Sequence, residues 1–179
     1  MNLMTGESAD AFFGGATPPA VLGLLHQAAE VQGEQRAALL WTAQAMSPTT
    51  LAVYYTLYKH HAGRREFELA ERAATRGLAA AATQAGLAAD WRAVVPADGV
   101  DFQRNGPARF WLFTLKALAF ISLRSGDTDL AQALLAQIDR LDSSARVGSD
   151  VIAALLASAL PTPGATPSAA GSGGAGGVG

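Results

Sequence analysis

Glycine and proline cut this chain at intervals of about one helix, and that punctuation constrains its fold more than any other feature. Thr17-Pro18-Pro19 and Ser47-Pro48 each set a capping residue before proline, a helix-starting arrangement. Asn105-Gly106-Pro107 is a further start. Gly33, Gly63, Gly86 and Gly126 stand where apolar periodicity runs out, and glycine ends a helix with little strain. Between these marks apolar residues recur every three or four positions, the spacing of one helical face. Helices are predicted over about 18–31, 34–46, 48–62, 65–85, 107–124, 127–141 and 145–160. The predicted class is all-α, stacked antiparallel hairpins of about seven helices. The run 91–95 comes nearest to a strand, and Pro96 ends it.

The apolar faces follow from the same spacing. Ala38, Leu39, Trp41, Thr42 and Ala45 are expected to face inward on the second helix. Leu51, Tyr54, Tyr55 and Tyr58 carry the third, and Phe67, Ala70, Ala74, Leu78 and Ala81 stripe the fourth. Val151, Ile152, Leu155 and Leu156 on the seventh are expected to cover the open end of the last pair. Glu68 and Arg72 are spaced to pair across one turn.

Three segments fall outside that scheme. Residues 1–16 are expected to be flexible, with Phe12 and Phe13 able to dock on the core. The helical domain is 17–160, interrupted by an insert at 86–106 in which Trp91, Val94, Val95 and Phe102 are expected to pack. The tail at 161–179 is rich in Gly, Ala, Pro and Ser and uncharged, too poor in apolar surface to offset its ordering entropy.

Composition removes several functions. The chain has no cysteine, which excludes disulfides and thiolate chemistry. A net charge of −2 and a pI near 5.9 argue against nucleic-acid binding, which needs a basic excess. The first 15 residues contain no Lys or Arg, unlike a secretory signal. The most apolar run, 110–123, is short of a membrane span and interrupted by Lys116. A cytoplasmic protein with no membrane contact is expected.

A helix–Gly–helix pattern repeats. The string LYKHHAG, ending at Gly63, matches FISLRSG, ending at Gly126; Leu69-Ala70 then matches Leu130-Ala131. The glycines are 63 residues apart and the Leu-Ala pairs 61 apart, so the first turn is expected to be two residues longer. Leu115, Leu118, Ala119, Gly126, Ala131, Leu135 and Ile138 resemble the tetratricopeptide repeat (TPR), a helix–turn–helix unit. The strings LAVYYTLYKHHAGRREFELAERAA, AGLAADWR and GPARFWLFTLKALAFISLRSGDTDLAQALL resemble a small bacterial TPR-like family associated with nitrogen-fixation gene clusters. That resemblance implies an accessory protein contacting nitrogenase or its assembly machinery.

Candidate chemistry is sparse. His60-His61 is the only histidine pair, and neighbours about 100° apart on a helix do not readily share an ion. Asp98, Asp101 and Arg104 have the composition of a turn and lack a calcium-loop pattern. Thr49 and Thr50 at a helix start lack the donors that read bases. No catalytic residue, metal ligand, cofactor or small-molecule substrate is expected. By the TPR resemblance, the first helix of each pair lines a groove, presenting Val53, Leu57, His60 and His61, then Phe113, Lys116, Phe120 and Arg124. Trp91 on the insert joins them as a candidate partner-binding residue. Aromatics mixed with Lys, Arg and His suit an extended peptide or an acidic protein surface. The expected function is non-catalytic protein binding; the alternatives are a small helical enzyme or a DNA-binding regulator.

Overall fold

The computed structural model describes residues 13–96, 99–104 and 106–141. Among the described residues there are six α-helices, one short 3-10 helix (Trp91–Ala93) and no strand; the α-helices are α1 (Pro19–Glu30), α2 (Gly33–Met46), α3 (Leu51–Gly63), α4 (Phe67–Ala85), α5 (Pro107–Ser125) and α6 (Thr128–Leu141). The fold is all-α. The expected helix at 145–160 and the 161–179 tail lie outside the described residues.

Each helix packs against the next in chain order, and α3 also touches α5. Short connections join α1 to α2, α3 to α4 and α5 to α6 as three antiparallel hairpins. The core centres on α3, α4 and α5. Small residues of α4, Ala70, Ala73, Ala74, Gly77 and Ala81, are buried, and the four alanines belong to one core cluster with Leu57, Tyr58, Phe110, Trp111 and Leu115. Gly77 marks the closest approach: a Cβ there would lie 2.8 Å from the Tyr54 Cβ and 3.4 Å from Phe110 Cε1.

The α2 face differs from expectation. Leu40 and Ala43 are buried, whereas Ala38, Thr42 and Ala45 are exposed and Leu39 and Trp41 half-buried. This helix is apolar on most of its circumference, so periodicity could not select the face that meets α1 and α3. The exposed Glu68 and Arg72 do not form an ion pair.

The α3–α4 turn also corrects the sequence alignment. Gly63 is the last residue of α3, and the left-handed position is Arg65 at φ 63°. Its counterpart is Gly126 at φ 95°. The Glu66 N–H donates to the His61 carbonyl at 2.9 Å, as the Asp127 N–H donates to that of Ser122 at 2.9 Å. Ala70 bonds back to Glu66 at 3.0 Å, as Ala131 does to Asp127 at 3.1 Å. Both turns therefore have the same length, and the whole repeat is offset by 61 residues.

The insert is packed. Val94 and Phe102 are buried, the latter with its ring 5.7 Å from that of Trp111. Buried Gln137 of α6 donates to the carbonyls of Trp91 at 2.9 Å and Val94 at 2.7 Å. Val95 is exposed, against expectation. Asp101 Oδ1 accepts from the backbone N–H of Gln103 at 2.8 Å and of Arg104 at 3.3 Å, closing a turn.

Candidate functional site

Side chains one helical turn apart lie above one another. On α3 that places Tyr55 below Lys59, whose Nζ donates to the Tyr55 hydroxyl at 3.2 Å and sits 4.9 Å from its ring centre. On α5 it places half-buried Lys116 below half-buried Phe120, with the exposed Arg124 guanidinium 5.9 Å from the Phe120 ring. With the 61-residue offset, Tyr55 matches Lys116 and Lys59 matches Phe120. Each first helix thus presents one aromatic and one cation at the same two positions, in swapped order. Phe113, 41% exposed, extends this face. Phe13 is wedged beside it, its ring 4.8 Å from Phe110, 5.2 Å from Tyr55 and 6.3 Å from Phe113.

Charge is segregated between the layers. Helices α1, α3 and α5 carry Lys59, Arg109, Lys116 and Arg124 against a single acid, Glu30. Helices α2, α4 and α6 carry Arg36, Arg72, Arg76 and Arg140 against Glu34, Glu68, Glu71, Asp129 and Asp139.

The expected site residues divide. Phe113, Lys116, Phe120 and Arg124 share the α5 face. Val53 and Leu57 are enclosed in the core at 0% exposure, where no partner reaches them. His61 is buried at 1%, His60 is half-buried, and Trp91 is tied to α6 through its carbonyl. Tyr55 and Lys59, which the sequence reading did not assign to the groove, take the α3 positions.

Buried His61 anchors a polar network that runs out to the surface. The Trp41 indole N–H donates to His61 Nε2 at 3.1 Å. An indole nitrogen only donates, so Nε2 holds the lone pair and Nδ1 the proton. Nδ1–H then donates to Glu66 Oε2 at 2.7 Å, and Arg64 Nε donates to Glu66 Oε1 at 2.7 Å. These two bonds hold the Glu66 carboxyl below its usual range, that from His61 contributing most. Burial pushes the His60 imidazole below its usual range, with His61, Arg36 and Arg64 adding to the effect. His60, His61 and Glu66 each place one potential ligand atom within 4.8 Å of the others. An ion there would have to displace the Trp41 bond and bind beside two guanidinium groups. The network instead links α2, α3 and the α3–α4 turn.

No helix among the described residues is long and apolar enough to cross a membrane. Fold and surface define an all-helical protein of three hairpins with one basic, aromatic face. No family profile and no solved structure matches it. The chain is 30% identical over 162 residues to an "Uncharacterized 19.8 kDa protein in nifW 5′region" of Azotobacter chroococcum mcd 1. The match covers 88% of this chain and 89% of that protein, and the chain belongs to its family.

Proposed function

We propose that this protein is a non-catalytic, TPR-like binding module of the cytoplasm, an accessory factor for nitrogenase or its assembly machinery. The observation that carries the reading is the α3/α5 face: paired aromatics and cations, free of acidic residues, on helices whose other sides are buried. Such a surface suits a partner with carboxylates and apolar anchors. The chain-order packing and the 61-residue repeat, with Ala70 and Ala131 fully buried at matching positions, support the stacked-hairpin reading. The nif-region location of the Azotobacter relative supports the nitrogen-fixation context.

The test is affinity capture with the tagged full chain from its native host, grown with and without fixed nitrogen. A nitrogenase subunit or assembly protein should co-elute near stoichiometry when fixed nitrogen is absent. Capture of no such protein under either condition contradicts the proposal.

A further inference from the structure

Three side chains meet where the C-terminal end of α3 lies against the first turn of α2. His60 and Arg64 stand four residues apart and so share one side of the end of α3. Arg64 reaches across to α2: its Nη1 lies 3.8 Å from where a Cβ on Gly33 would stand. Arg36 stands three residues after Gly33, on the same side of α2. Arg36 Nε and His60 Nε2 are both buried, and neither has a hydrogen-bond partner among the described residues. A guanidinium nitrogen only donates, so what Arg36 Nε lacks is an acceptor. A buried donor without one is costly. His60 Nε2 supplies a second donor whenever it carries a proton.

Charge selects the acceptor. The groups acting on His60 are His61, Arg36, Arg64 and Glu66. His61 accepts from Trp41 through Nε2 and is therefore neutral. The Glu66 carboxylate is already engaged by His61 Nδ1 and Arg64 Nε, each at 2.7 Å. Two guanidinium charges against that one carboxylate leave a single positive charge in excess. Glu34 is exposed and lies two residues from Arg36, about 200° round the helix. The excess repels a metal cation, and a phosphate dianion would overshoot it. A carboxylate matches it in charge, and its two oxygens suit the planar fork of a guanidinium.

We propose that Arg36, His60 and Arg64 form a receptor for one carboxylate group, held between α2 and the end of α3. The group is carried by a small organic acid or by an acidic side chain of a peptide. The site uses none of the residues of the α3/α5 face and does not rest on the protein-binding reading.

The test is a titration of the full chain near neutral pH, followed through its imidazole and arginine Nε signals by NMR. The probes are acetate, succinate and an acetylated pentaglutamate amide, each compared with chloride at equal ionic strength. The His60 and Arg36 signals should shift saturably with the carboxylates and not with chloride. The signal of His26, exposed on α1, should stay in place. Bound carboxylate should also move the His60 titration upward, because a negative charge beside an imidazole favours its protonated form. Arg36→Gln should weaken binding about tenfold or more. Tighter binding of pentaglutamate than of succinate assigns the carboxylate to a peptide; equal or weaker binding assigns it to a small acid. Shifts that do not saturate, that chloride reproduces, or that persist in a folded Arg36→Gln chain overturn the proposal. Tighter binding of inorganic phosphate than of acetate overturns it too. If Arg36→Gln does not fold, the wild-type titration decides alone.

Discussion

The hairpins α3–α4 and α5–α6 share one turn geometry and fill the positions around it in opposite ways. At matched positions 61 residues apart, the first helix carries Tyr58 and His61 in one hairpin, Ala119 and Ser122 in the other. The second helix carries Ala73, Ala74 and Gly77 in one, Leu134, Leu135 and Ile138 in the other. All ten are buried. Volume has moved from the second helix to the first, so packed volume is kept while its source changes. The lesson is that a repeat can be kept in backbone hydrogen bonds while its side-chain consensus dissolves.

The largest expected effects lie at the pair with the greatest size difference. Ile138→Ala should lose about 2–5 kcal/mol through the cavity it opens. Gly77→Ala should lose roughly 1–3 kcal/mol for the opposite reason, since its Cβ meets the root of Tyr54 and not a flexible tip. Urea unfolding of both variants checks this, and a stabilised Gly77→Ala would break the comparison. Next comes the polar network around buried His61, which has no counterpart at Ser122. Trp41→Phe removes the donor to His61 Nε2 and should lose about 1–3 kcal/mol, measured the same way.

The turns offer a smaller, signed test. Arg65 occupies a left-handed position that its partner fills with glycine. Arg65→Gly should therefore stabilise, and Gly126→Ala destabilise, each by about 1 kcal/mol in thermal unfolding. Equal signs would mean that the turns are not equivalent. The Tyr58 hydroxyl is buried beside that of Thr114, and neither makes a well-formed hydrogen bond. Tyr58→Phe should be neutral or stabilising by up to ~1 kcal/mol.

The weakest effect is on pH dependence. Because the folded state lowers the His60 pKa, the unfolded chain binds a proton that the folded chain refuses. Stability should fall as pH drops from the ordinary histidine value, ~6.5, towards the lowered one. The Glu66 contribution is present above the ordinary carboxylate pKa and is lost as pH falls through its lowered folded value. Melting temperature against pH should lose its upper slope in His60→Gln and keep it in Glu66→Gln.

Much of this fold was legible because its boundaries are written in proline and glycine. Pro19 and Pro107 open α1 and α5, and Gly86 and Gly126 close α4 and α5 in left-handed conformations. Gly63 misled: it sits inside a helix end, and an arginine holds the strained position. The site was half legible. The repeat resemblance set Phe113, Lys116, Phe120 and Arg124 together on α5, and their three- and four-residue steps do put them on one face of that helix. On α3 nearly every side is apolar or aromatic, so Leu57 and His61 could not be told from Tyr55 and Lys59 without knowing where α4 and α5 pack.

Partner binding at the α3/α5 face is a proposal that charge reversal can decide. Its most direct test is quantitative capture of nitrogenase components from nitrogen-starved host cells by wild type and by Lys59→Glu/Lys116→Glu, with equal melting temperatures as the control. Recovery by wild type and loss by the charge-reversed chain is the predicted result. Equal recovery by two equally folded baits would contradict it.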